Sequence, residues 1–171
     1  MELPQHLFNY VSSITPLVSV ELIITCPSKL VLLSWRDDGL YGPGWHLPGG
    51  IVRHKESLID RIRLVALKEC AIDRFESCTF LQINQIMNPN RNLRGHFISL
   101  VYGLSIGYDP CVDQNDFQNG SLGLFSSAPT NLIEQHRRYE FLINACISGS
   151  PDKIDPSGNV CSEYFLKNDL V

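Results

Sequence analysis

Hydrophobic and polar positions follow two rhythms along this chain. Leu17 to Thr25 and Lys29 to Arg36 are rich in Val, Ile and Leu and read as core strands, and the short Cys26-Pro27-Ser28 link between them predicts a hairpin. From Glu56 to Ala71 the rhythm lengthens. Leu58, Ile59, Ile62, Val65, Ala66 and Ile72 recur near the ~3.6-residue period of an amphipathic helix. Phe80 to Met87 reads as a strand, Asn88 to Gly95 as a polar loop and His96 to Ile106 as the longest β-like run. Tyr108 to Gly120 is loop again, and Ser121 to Phe125 is a short closing strand. Pro4 to Ser13 predicts a helix, with Leu7, Phe8 and Val11 at helical spacing and Pro4 in its first turn. Asn131 to Ile147 predicts another, with Leu132, Ile133, Tyr139, Leu142, Ile143 and Cys146 apolar and Thr130 or Asn131 as N-cap. Ser148 to Val171, rich in Gly, Pro, Ser and Asp, reads as a tail or edge extension. Alternating strands and helices with short links predict an α/β class, a mixed sheet flanked by helices.

Composition narrows the function more than the fold. At 171 residues, 44% hydrophobic and 19% charged, the chain suits a single folded domain spanning residues 1–171, with a core at about 14–147 and residues 148–171 as tail. Net charge is -4 and no basic run stands out, which disfavours a nucleic-acid surface and polymeric substrates. Any phosphate recognition then comes from a few local cations. The six cysteines lack a CxxC pair or zinc spacing and read as buried thiols. No leader-like or membrane-length apolar run occurs, so the expectation is a soluble cytoplasmic protein without a membrane partner.

Candidate chemistry concentrates between Gly44 and Ile72, where the Pro-Gly-Gly turn at Pro48-Gly49-Gly50 precedes a helix carrying Glu69. Glycines free the backbone and leave carbonyls open for coordination, and a carboxylate bordering a buried helical face is costly unless paired or bound to metal. Glu69 is either a metal ligand or an exposed partner of Arg63 or Lys68. Glu56 near the helix start is explained by the helix dipole alone. Arg36 ends an apolar strand, where a guanidinium reaches a ligand phosphate or pairs at the surface with Asp37 or Asp38. Glu21, inside the first strand, faces solvent or a ligand. Among the imidazoles, His54 and His96 are candidate bases as well as ordinary surface groups, His46 reads as positional between Trp45 and Leu47, and His136 reads as solvent-facing.

These residues resemble the signature box of the Nudix hydrolases: glycine, five residues, glutamate, seven residues, then Arg-Glu-aliphatic-any-Glu-Glu-any-Gly-aliphatic. Gly50, Glu56, Glu69 and Ile72 match it, while Leu64, Val65, Lys68 and Ala71 replace its arginine, two of its glutamates and its late glycine. The segments Thr15 to Ile24 and Leu32 to Gly50 are similar to the GDP-mannose mannosyl hydrolase branch, whose box is also thinned. This resemblance implies the Nudix α/β/α sandwich, a homodimer, a small-molecule nucleotide-sugar substrate such as GDP-mannose, and one Mg2+ or Mn2+ ion on the Gly50 carbonyl, Glu69 and Gln118. It implies catalytic roles for Arg36, Glu69 and position 119, and contacts to substrate from Glu21, Arg36, Arg53 and Phe97. The branch's base histidine falls on Asn119, whose amide takes up no proton at neutral pH. Ile51 stands where the branch has arginine, with Arg53 nearby, and Phe97 stands in place of its tyrosine. The departures leave two other readings open, a catalytically impaired domain that binds a nucleotide and a classical Nudix pyrophosphatase.

Overall fold

The apolar runs assemble as a seven-stranded mixed sheet in the computed structural model, which describes residues 4–39, 42–112 and 118–149. In chain order the elements are α1 (Gln5–Ile14), β1 (Leu17–Thr25), β2 (Val31–Arg36), β3 (Gly44–His46), β4 (Gly49–Ile51), α2 (Leu58–Cys70), β5 (Ser77–Met87), β6 (His96–Ser105), β7 (Leu122–Phe125), a 3-10 turn at Glu134–Tyr139 and α3 (Glu140–Ile147). The fold is α/β, as the alternation of rhythms predicts.

β1 is the central strand because its Val, Leu and Ile side chains are covered on both faces. It runs parallel to β6 from Leu17 opposite Phe97 to Thr25 opposite Ser105, and β6 pairs antiparallel with β5, which is one residue longer than β6 and bulged between Phe80 and Gln82. On its other edge β1 meets β2 antiparallel only at Ile24–Leu32 and Thr25–Val31, as the hairpin requires. The remaining half of that edge belongs to β4, through Ser19–Ile51, Val20–Gly50 and Glu21–Gly49. β2 pairs instead with β3 and β7. The sheet therefore divides beside β1, and this division makes room for a cavity.

Two cores cover the faces. Val20, Leu22, Ile24 and Leu32 pack under Ile62, Val65 and Ala66 of α2, whereas Ile23, Val31, Leu33 and Trp45 pack under Tyr139, Leu142 and Ile143. α2 begins at Leu58, two residues later than the reading from Glu56: Ser57 is the N-cap, its hydroxyl accepting from the Asp60 amide at 3.2 Å, and Leu58 and Ile59 stay more than one-third exposed. Its last residue, Cys70, is followed by Ala71 at φ 56°, a left-handed position that glycine occupies more cheaply.

Three expectations change. The Pro48-Gly49-Gly50 turn runs into strand β4, and β3 precedes it; each strand is three residues long and holds glycine, below what a two-residue period can mark. The C-terminal helix starts only at Glu134 as a 3-10 turn, with no side-chain cap from Thr130 or Asn131. Leu132 instead bridges Trp45, whose amide donates to the Asn131 carbonyl at 2.9 Å and whose carbonyl accepts from the Ile133 amide at 2.9 Å, so the two apolar residues serve an edge bridge. Of the tail, residues 150–171 and Cys161 lie outside the described residues.

Candidate active site

Strand alternation turns Ser19 and Glu21 of β1 toward the gap left where β2 departs, and the antiparallel register sets Ser34 opposite His46 and Arg36 opposite Gly44. These side chains, the doubled glycine, α2 and the 3-10 turn bound a cavity of about 580 Å3. Its walls carry five cationic side chains, Arg36, Arg53, Arg61, Lys68 and Arg94, against the carboxyls of Glu21, Asp38 and Glu69. On a chain of net charge -4, this is where positive charge gathers.

Two acids converge on Gly49. Its amide donates to Glu69 Oε2 at 3.1 Å, so the Glu69 side chain turns toward the glycine turn. A Cβ on Gly49 would stand 2.2 Å from Glu21 Oε2 and 2.9 Å from the Val20 carbonyl oxygen. The requirement for glycine here is space, not backbone angle, since neither Gly49 nor Gly50 has a positive φ and both lie in β4. At Gly50 the added carbon would meet Val65 Cγ2 at 2.8 Å, so α2 packs directly on the turn. Burial, and then repulsion from Glu69, pushes the Glu21 carboxyl up to about 8; the Ser19 hydroxyl, at 3.3 Å, and Arg36 oppose the rise. Burial also raises Glu69, against the Gly49 hydrogen bond and Arg36.

Hard oxygen donors of this kind, two carboxyls beside backbone carbonyls, suit a divalent cation. Where α2 would bear further acids it presents buried Val65 and exposed Lys68, and among the described residues no three His, Cys, Asp or Glu side chains cluster as a metal site. Such a donor set could hold at most one ion. Glu56 takes no part in it: burial alone would raise its carboxyl, but the Arg53 amide, at 2.8 Å, and the Arg61 guanidinium, at 2.7 Å, hold it below its ordinary value. Its role is to fasten the loop onto α2.

Of the residues singled out in the sequence, Glu21, Arg36, Gly50, Arg53, Glu69, Phe97 and Asn119 all line this cavity. Gln118 does not line it; the residue is exposed and its amide donates to Ser121 Oγ at 2.9 Å. Arg36 pairs with Asp38 at 2.7 Å while facing the cavity, so the surface pair and the lining position coexist. Asn119 Oδ1 accepts from the Asp37 amide at 3.1 Å and thereby ties the loop before β7 to the end of β2. Arg53 and Arg94 lie 5.6 and 5.8 Å from the Phe8 ring centre, which brings α1 to the cavity rim.

The histidines are redistributed. His54 is exposed and His96 contacts Gln85 Nε2 at 2.8 Å, and neither lines the cavity. His46 and His136 do line it. Far from facing solvent, His136 is only 7% exposed: its Nδ1 accepts from the Leu47 amide at 2.9 Å, and its Nε2 lies 3.9 Å from Glu21 Oε2. Burial holds it well below the usual imidazole range, with His46, Arg36 and Arg138 adding to the effect, so the contact with Glu21 is polar rather than ionic. His46 Nδ1 donates to the Leu47 carbonyl at 2.7 Å, and burial lowers this ring to about 4. Flanking arginines made His136 look exposed in sequence; the 3-10 turn, by changing the period, rotates it inward.

Neither a family model nor a curated protein matches this sequence. Solved structures do. A MutT Nudix hydrolase from Burkholderia pseudomallei superposes with a TM-score of 0.56 at 22% identity, over 72% of this chain and 94% of its own. The MutT protein from Methanosarcina mazei Go1 gives 0.57 at 18% identity, over 77% of this chain and 95% of its own. The Nudix domain of NrtR from Shewanella oneidensis, solved with ADP ribose, gives 0.52 at 19% identity, over 65% of this chain and 73% of its own. At such identities the likeness is one of architecture, and the architecture is the Nudix fold.

Proposed function

We infer that the protein is a divalent-metal-dependent hydrolase of a nucleoside diphosphate derivative, its substrate a nucleotide sugar of the GDP-mannose kind. The observation that carries this reading is the meeting of Glu21 and Glu69 at Gly49 inside a cavity whose walls also carry five cationic side chains. Carboxyls favour a metal and guanidinium groups favour phosphate, and a metal-bound diphosphate needs both. Glu69 and the Gly50 carbonyl would hold the ion, which when bound neutralises the diphosphate and eases its departure. Arg36, already oriented by Asp38, would supply a guanidinium for charge on the leaving diphosphate, and Glu21 would contact the sugar. The NrtR domain's ligand, ADP ribose, belongs to the same class of diphosphate-linked sugar. A homodimer is part of the same proposal, with Leu7, Tyr10 and Ile14 of α1 exposed for it; sedimentation as a monomer would remove that part.

A second reading, a nucleotide-binding domain without turnover, is favoured by Asn119, whose amide is engaged by the Asp37 amide and cannot take up a proton. Incubation with Mg2+ and a panel of GDP- and UDP-sugars, ADP ribose and dinucleoside polyphosphates separates the two, with Glu69→Gln as control. Product from the wild type alone supports the hydrolase; thermal stabilisation by ligand without product supports the binder. Labelled water distinguishes the site of attack: isotope in the sugar marks carbon, and isotope in phosphate marks the pyrophosphatase alternative.

A further inference from the structure

His46 and His136, the two imidazoles that line the cavity, stand edge to face with ring centres 5.8 Å apart and are held in opposite tautomers. A carbonyl oxygen only accepts, so the 2.7 Å contact of His46 Nδ1 with the Leu47 carbonyl places the hydrogen on Nδ1 and the lone pair on Nε2. An amide only donates, so the 2.9 Å bond from the Leu47 amide places the lone pair of His136 on Nδ1 and its hydrogen on Nε2. The two peptide groups of one residue thus set both rings. His136 has its accepting nitrogen engaged, whereas His46 Nε2 has no hydrogen-bond partner among the described residues. Asn119 offers an amide, and His54 and His96 lie off the cavity wall.

We propose that His46 is the general base of this cavity and takes the proton from the water that attacks the sugar carbon. The inference rests on the nucleotide-sugar reading above. In the step, Nε2 bonds one water proton, the electron pair of the broken O–H bond forms the new bond to the sugar carbon, and the carbon bond to the diphosphate oxygen breaks with its pair retained on that oxygen. The imidazolium then returns its proton to bulk water. The charged and titratable groups around the ring are Arg36 at the end of β2, Asp38 in the loop after it and His136 from the 3-10 turn. Arg36 disfavours the imidazolium and Asp38 favours it, and burial keeps the ring unprotonated at neutral pH. His136 acts as a positioning residue that fixes Leu47 between the rings.

The test measures kcat and KM with GDP-mannose and Mg2+ for wild type, His46→Gln and His46→Ala, alongside long-range proton–nitrogen NMR of the His46 ring at pH 7. Expected are a fall in kcat of about 100-fold or more with KM within about threefold, and partial recovery of His46→Ala by added imidazole. The NMR pattern expected is a protonated Nδ1 and a bare Nε2. A folded His46→Gln that keeps wild-type kcat overturns the assignment of His46 while leaving the hydrolase reading in place, and so does a protonated Nε2. A wild type that turns over none of the nucleotide sugars overturns the hydrolase reading, and His46 as its base with it.

Discussion

Gly49→Ala probes the join on which the site depends. The added methyl would fall 2.2 Å from Glu21 Oε2 and 2.8 Å from its Cδ, so the carboxyl must retreat by more than an ångström to reach ordinary contact. It would also fall 2.9 Å from the Val20 carbonyl, which is backbone and can yield only if the pairing of β1 with β4 opens by a few tenths of an ångström. Overpacking of this kind costs about 1–3 kcal/mol. For a domain of this size that corresponds to a melting temperature lowered by about 2–12 °C. Because the Gly49 amide also donates to Glu69, the shift loosens both acids, and Mg2+ affinity falls at least about tenfold, the equivalent of about 1.4 kcal/mol. The assay is thermal melting with and without Mg2+ for Gly49→Ala, Glu21→Ser and the double variant. Removing the Glu21 carboxyl relieves the shorter clash, so the cost of Gly49→Ala drops below about 1 kcal/mol in that background, a coupling the double-mutant cycle reads directly. Equal costs in both backgrounds would refute the claim that Glu21 and Gly49 share one packed space.

Three further outcomes are expected. Glu69→Gln lowers Mg2+-dependent turnover by at least about 100-fold while the melting temperature without metal stays level or rises, because burial opposes the Glu69 charge and a neutral amide oxygen can still accept from the Gly49 amide; steady-state kinetics and melting check it. His46, at about 4 when folded against an ordinary 6.5, binds fewer protons folded than unfolded, so its share of stability is present above pH 6.5 and is lost as pH falls toward 4. That difference corresponds to at most about 3.4 kcal/mol, and the melting temperature of His46→Gln should fall less steeply than that of wild type over this window. Ala71→Gly relieves a left-handed residue at the C-terminal cap of α2 and should stabilise the protein by about 0.5–1 kcal/mol in chemical denaturation; a loss of stability would show that the Ala71 methyl packs usefully.

Much of the framework is legible in the sequence because it is encoded locally. The Val, Ile and Leu runs fix β1 at Leu17–Thr25, and the helical recurrence of Ile62, Val65 and Ala66 fixes α2 and the face it buries. The spacing from Gly50 to Glu69 then carries one acid from the turn to the far end of a helix that packs back upon it, so Gly50 and Glu69 could be nominated without coordinates, and Arg36 by its place at the end of an apolar strand and the family resemblance. What could not be read is partnership. Periodicity states that a side chain faces inward and is silent about what it meets there. The Leu47 amide meets His136 across 89 residues of sequence, and Glu21 meets Gly49 only because β4 displaces β2 from the edge of β1. His136, between glutamine and two arginines, carries no local mark of burial; the 3-10 turn and the Trp45–Leu132 bridge rotate it under the cavity. The sequence by itself determined the strands, the box helix and the acid it carries, since backbone preference and amphipathic period act over a few residues. The tertiary structure decided which acids converge and which imidazoles stand beside them, since those contacts depend on strand order and on helix packing that no short stretch of chain contains.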